Sequence, residues 1–146
     1  MKISSTAFAN ESSIPAQYTC DGANSSPELV WTDVPEKTKS LTLIVDDPDA
    51  PSGLWTHWVV YNMSAESRGP AHQLPPGARQ GKNSFDETGY GGPCPPKGHG
   101  SHRYFFRLYA LDDMPNLPSG ADSVALKAAM KDHVLETAEL MGRYEH

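Results

Sequence analysis

Only two cysteines, Cys20 and Cys94, occur in the 146 residues. That is too few for the disulfide scaffold of a small secreted domain, and in a reducing cytosol both would stand as unpaired thiols. Basic residues are also scarce: twelve Lys and Arg against eighteen Asp and Glu leave a formal net charge of −6, with no basic run anywhere. A grip on a phosphate backbone needs clustered Lys and Arg, so no nucleic acid is expected as a partner. Long apolar runs are missing too. The stretch from Met1 to Phe8 has no apolar core of signal-peptide length, and no segment is long enough to span a bilayer. The expectation is a cytoplasmic protein with no integral membrane association, folded as one domain over residues 1–146.

Proline and glycine, by contrast, are plentiful. Thirteen prolines and twelve glycines are spread along the chain and punctuate short runs of alternating apolar and polar residues, the pattern of a strand-rich domain. Strands are expected at Ile3–Phe8, Leu29–Trp31, Ser40–Asp46, Thr56–Met63 and Arg103–Leu111, with a short one near Arg79–Ser84 inside a mostly irregular connection. A helix is expected from about Val124 to Met141, because Leu126, Met130, Val134, Thr137 or Ala138, and Met141 recur three or four residues apart. Asp122 or Ser123 would cap its start and Gly142 its end. The fold class is therefore mainly β, a sandwich of antiparallel sheets with a C-terminal helix.

Two stretches carry chemistry. Asp47-Pro48-Asp49-Ala50-Pro51 leads into Trp55-Thr56-His57-Trp58, and Gly91-Gly92-Pro93-Cys94-Pro95-Pro96 leads into His102-Arg103-Tyr104. Each couples a loop stiffened by proline to a strand with a histidine at or beside its first residue. Strand alternation puts His57 with Val59 and Tyr61, and His102 with Tyr104, Phe106 and Leu108. A histidine at the mouth of an apolar row is half desolvated, which makes its ring N–H an effective donor to an anion. Tyr104 adds a hydroxyl. Asp47 and Asp49, where a strand runs out into its loop, would fix the histidine tautomers, although an Asp beside Pro is as often a turn former. His72, His99, His133 and His146 have no such setting and read as surface or loop residues.

Other chemistries have less support. No Cys-x-x-Cys or His-x-x-x-His spacing backs a metal site from Cys94, His99, His102 and Asp47, and no cofactor is expected. No Gly-x-Ser-x-Gly elbow offers a serine nucleophile, and Cys94 lacks an adjacent base. Trp31, Trp55 and Trp58 read as core or pocket wall.

At these residues the sequence resembles the phosphatidylethanolamine-binding protein family, in its short bacterial and archaeal Raf kinase inhibitor-like branch. Ile14-Pro15, Tyr18-Thr19-Cys20-Asp21-Gly22, Ser26-Pro27, Trp31 and Tyr109-Ala110-Leu111-Asp112 share in the resemblance, which spans nearly the whole chain. It implies a two-sheet β-sandwich with a small anion pocket at one end, occupied in relatives by phosphate, acetate, cacodylate or phosphorylethanolamine. Asp47, His57, Pro96, His102 and Tyr104 would form that pocket, with Asp49 and the Gly92–Cys94 backbone beside them. It also implies a binding or inhibitory protein, acting on a kinase or protease, rather than an enzyme, and a homodimer as one state of assembly. The competing functions are a protease or kinase inhibitor acting through a surface loop, and a small hydrolase using Asp47 and His57.

Two further expectations rest partly on that resemblance. At least one X–Pro bond in the Asp47–Pro51 or Gly92–Pro96 loop should be cis. Cys20 and Cys94, in loops that the resemblance assigns to the pocket end, should lie near enough for a disulfide to form on oxidation. The chain departs from the family in the short interval Ser52–Thr56, in Asp86-Glu87 where the branch more often has Gly, and in a C-terminus that stops soon after the expected helix.

Overall fold

The computed structural model describes all residues from Met1 to His146. Its centre is β3 (Ser40–Asp47), a strand in which every residue is buried. On one side it pairs antiparallel with β4 (Trp55–Ser64), and on the other with β6 (His102–Leu111). β5 (Arg79–Gln80) and β7 (Val134–Tyr144) complete a five-stranded sheet in the order β5-β4-β3-β6-β7. A second, two-stranded sheet pairs β1 (Lys2–Ser4) with β2 (Val30–Thr32). No helix is long and apolar enough to cross a membrane.

Burial on both faces explains why Leu43, Ile44 and Val45 run together without alternation in the middle of β3. Leu41, Leu43 and Val45 point into the main core with Trp58, Val60, Phe106 and Leu108, and Ile3, Leu29 and Trp31 close it from the small sheet. Ile44 faces the other way, with Val59, Tyr61 and Leu111, under Leu126 and Met130 of α1 (Ser123–Met130).

The expected helix is half the length read from the sequence. It begins as expected, with the Asp122 carboxylate accepting from the Ala125 N–H at 2.9 Å. It stops at Met130, and Asp132 then takes a left-handed φ of 68°. From Val134 onward the chain is β7, paired with β6 from His102↔Tyr144 to Leu111↔Val134. The residues from Val134 to Met141 satisfy helical spacing, but as a strand they turn Ala138 and Leu140 into the core while Val134 to Thr137 stay exposed. The ladder offered by β6 satisfies their backbone groups while burying that row, and this tertiary term outweighs local propensity.

Gly142 is therefore not a helix stop. It lies in mid-strand, where a Cβ would sit 2.5 Å from Ile14 Cγ1 and 2.8 Å from the Phe8 ring. Gly142→Val is expected to cost about 1–3 kcal/mol through overpacking. Urea unfolding checks this, and an unchanged midpoint would contradict the packing described.

The single cis peptide bond is Gly69–Pro70, in the irregular connection, so the expectation of one in either pocket loop is not met. The first loop turns by other means. Asp47 Oδ1 accepts from the Asp49 N–H at 2.7 Å, and Gly53 closes a tight turn onto the Ala50 carbonyl at 3.0 Å. The second loop is tied down by its neighbours, since the Cys20 N–H donates to the Pro93 carbonyl and the Gly92 N–H to Asn24 Oδ1.

Candidate functional site

A cavity of about 240 Å³ opens where β3, β4 and β6 meet the two proline loops. It is smaller than the roughly 300–1,000 Å³ typical of pockets for drug-sized ligands. Asp47, His57, Pro96, His102 and Tyr104 all line it, together with Pro51, Trp55, Phe85 and Cys94. Two residues expected there do not line it. Asp49 turns to Arg103, accepting from its backbone N–H and, in a forked pair, from Nε and Nη2 at 2.9 and 2.8 Å. These bonds to Arg103 hold the Asp49 carboxyl down to about 2, so the stability they lend is complete above the ordinary Asp range and is lost as pH falls toward 2. Gly92 lies behind the cavity, pressed so closely on Asn24 and the Tyr18 carbonyl that a Cβ would collide with them.

His57 reaches the cavity by a route that simple alternation misses. β3 pairs Val45 with Trp58 but Asp46 with Thr56, which leaves His57 as the extra residue of a β-bulge. The bulge turns its ring away from Val59 and Tyr61 and sets it edge-on to Tyr104, with ring centres 5.2 Å apart. Its backbone carbonyl accepts from the Gly91 N–H at 2.9 Å, and the Gly91 carbonyl faces His57 Nδ1 at 2.6 Å. A carbonyl can only accept, so Nδ1 carries the proton and Nε2 is the free ring nitrogen. Burial pushes the His57 pKa below its ordinary value, against the Gly91 carbonyl and Asp47, which raise it.

His102 is fixed by the same logic. Its Nδ1 meets Asp47 Oδ2 at 2.7 Å, with both side chains almost fully buried. The carboxylate accepts, so Nδ1 donates and Nε2 is the nitrogen turned away from Asp47. In this structure it faces His99 Nδ1 at 2.6 Å. His99, expected to be a bystander, therefore completes an Asp47–His102–His99 chain from an exposed loop shaped by the left-handed Gly98 and Gly100. A ligand that takes His102 Nε2 takes the place of His99.

Tyr104 supplies the third polar group. Burial, with Asp47 close by, pushes its hydroxyl pKa well up, so it stays a donor across the physiological range. The apolar wall comes from Trp55 and Phe85, whose ring centre is 5.4 Å from Trp55 and 5.5 Å from His57. Phe85 was not legible as a site residue. Asn83 holds it out by accepting from the Phe85 and Glu87 N–H groups while donating to the Gly89 carbonyl. Of the tryptophans, Trp55 is pocket wall, while Trp31 and Trp58 are core.

Cys20 and Cys94 are joined by a disulfide, with Cα atoms 5.4 Å apart, so the reading of two unpaired thiols is corrected. The bridge ties the Cys20 loop to the cavity wall at Cys94. Two of the remaining histidines differ from their expected isolation as well. His133 pairs with Asp112 at 2.8 Å, and His146 pairs with Asp21 at 2.7 Å and lies 3.6 Å from Cys20 Sγ.

The model of the phosphatidylethanolamine-binding proteins matches residues 4–145. The chain belongs to that family. The UPF0098 protein of Methanothermobacter thermautotrophicus is 50% identical over 150 residues, covering 99% of this chain and 98% of the relative. Among solved structures, a family homologue from Chlamydia trachomatis superposes with a TM-score of 0.91 at 43% identity, covering 99% of this chain and 97% of that one. YbcL of E. coli, described as a member of the mammalian family, gives 0.92 at 33% identity, covering 99% and 98%. The family's fold neighbours share the mainly β, two-sheet architecture built above.

Proposed function

We propose that this member of the family is a non-catalytic binding protein whose cavity takes a small oxyanion, a phosphate monoester or a carboxylate, free or carried by a partner. One observation carries the reading. His57 and His102 both have Nδ1 committed to a fixed acceptor, which turns two Nε2 atoms, beside the Tyr104 hydroxyl, toward a cavity walled largely by Trp55, Phe85 and prolines. The Nε2 of a neutral His57 accepts, so an oxyanion bonds to it only when it brings a proton or recruits one from solvent. Binding is thereby linked to proton uptake.

The sign follows from His57. Its lowered pKa leaves it neutral near pH 7, and an anion favours the protonated ring, so affinity rises as pH falls. A phosphate monoester loses its second charge near pH 6, which opposes the trend below that point. The hydrolase alternative has little geometric support, because Asp47 bonds to His102 and not to His57. Calorimetry with phosphate and phosphorylethanolamine at pH 6 and pH 8 tests the proposal. Stronger binding at pH 6, with net proton uptake and no release of ethanolamine from the ester, is expected. Stronger binding at pH 8, or turnover of the ester, would refute it.

A further inference from the structure

From the cluster at the edge of the second proline loop we infer a metal site that exists only when the Cys20–Cys94 disulfide is reduced, with Cys20, Cys94, His146 and Asp21 as ligands for Zn²⁺. The sulfur atoms of Cys20 and Cys94 and a ring nitrogen of His146 lie within 4.8 Å of one another, all on exposed residues. Cys20 Sγ is 3.6 Å from His146 Nε2. Tetrahedral zinc, with Zn–S near 2.3 Å and Zn–N near 2.1 Å, requires an S···N separation of about 3.6 Å, so that edge of the tetrahedron is already in place. The same bond lengths set the two sulfurs about 3.8 Å apart, which the Cys side chains reach by rotation once the S–S bond is broken. Asp21 is the nearest carboxylate for the fourth corner: its Oδ1 now accepts from His146 Nε2 at 2.7 Å, shorter than the roughly 3.4 Å that two tetrahedral zinc ligands require. On metal binding the ring carries its proton on Nδ1, this bond opens and the carboxylate swings to the metal.

The site does not depend on the disulfide to hold its parts together. The Cys20 N–H donates to the Pro93 carbonyl at 3.1 Å, the Gly92 N–H to Asn24 Oδ1 at 2.9 Å, and the Tyr90 hydroxyl to the Tyr18 carbonyl at 2.7 Å. These bonds join the two cysteine loops without sulfur. The end of β7 is docked separately, with the Ile14 N–H on the Arg143 carbonyl and the Tyr144 hydroxyl on Asp21. That hydroxyl also serves as an outer partner that orients the carboxylate.

The chemistry balances with a dithiol as reductant. Two electrons and two protons pass to the bridge, the S–S bond breaks to give two thiols, and the dithiol closes to its own disulfide. Zn²⁺ then displaces both thiol protons to solvent and binds two thiolates, the His146 imidazole and the Asp21 carboxylate. The oxidised protein offers no thiolate, so disulfide and metal exclude each other.

Cobalt is the probe for the test, because thiolate ligation gives Co²⁺ a charge-transfer band. The full chain is reduced with a phosphine, desalted without oxygen and titrated with Co²⁺, in parallel with oxidised protein. The expected result is one Co²⁺ per reduced chain with the thiolate band, displacement by Zn²⁺, and no band in the oxidised protein. His146→Ala, an exposed change that leaves the fold intact by circular dichroism, should weaken binding at least tenfold, and Cys94→Ser should abolish the thiolate band. Reduced wild-type protein without a thiolate band would overturn the proposal, as would unchanged Co²⁺ affinity in both His146→Ala and Asp21→Asn.

Discussion

Asp47→Ala is expected to lower folding stability by about 3 kcal/mol, the largest effect of any single change at the cavity. The Asp47 side chain accepts two bonds in a nearly water-free setting, from the Asp49 N–H and from His102 Nδ1. Its removal orphans both donors, and an unsatisfied buried donor costs on the order of 1–3 kcal/mol. The loss is structural before it is functional, because the first bond shapes the loop after β3 and the second fixes the ring of His102. Urea denaturation of the variant beside wild type gives the number. A difference below about 1 kcal/mol would mean that the Asp47–His102 pair does not organise this end of the sheet.

Binding should respond to the two histidines more than to any other pair. Replacing either ring by Ala removes a bond that becomes charge-assisted when the oxyanion is bound, at a cost of roughly 1.5–3 kcal/mol, or about ten- to 150-fold in affinity. The two variants should differ in kind. His57→Ala should flatten the rise in affinity toward low pH, because the buried ring with the lowered pKa is the one that takes up a proton. His102→Ala also frees His99 from its 2.6 Å contact. His72, exposed on the irregular connection, is the control, and its replacement should leave affinity unchanged. Equal affinity for phosphate in wild type, His57→Ala and His102→Ala would move the site elsewhere.

The long central strands were legible because their side chains report directly on burial: β3 buried on both faces, and β6 alternating from His102 to Ala110. β7 was not legible. Its apolar residues satisfy helical spacing, and only the ladder from β6 makes the segment a strand. The placement of His57 failed for a related reason. A bulge is a property of two strands in register, and nothing in Trp55–Met63 alone shows that His57 goes unpaired against β3.

At the cavity, strand alternation found His102 and Tyr104 from the residues alone, and the proline loops pointed to Asp47. Pro96 and the closeness of Cys20 to Cys94 came from family resemblance, since no spacing in the chain fixes either. His99 and Phe85 were missed because each is delivered by loop geometry: a pair of left-handed glycines for one, and the hydrogen bonds of Asn83 for the other. The position of Asp49 beside Pro suggested a turn, but its forked bond to Arg103 on β6 is a long-range contact with no local signature.

The central claim is that the cavity presents the Nε2 atoms of His57 and His102 to an oxyanion, and that the neutral His57 ring takes up a proton when the oxyanion binds. Long-range ¹H–¹⁵N correlation spectra of the imidazole rings at pH 7, recorded with and without phosphate, observe those atoms directly. The account predicts that without phosphate His57 is the neutral tautomer with its proton on Nδ1, and that saturating phosphate moves the Nε2 resonance of His57 toward the protonated position and shifts that of His102. A His57 ring already carrying its proton on Nε2 in the free protein, or Nε2 signals of both rings that do not respond to saturating phosphate, would contradict it.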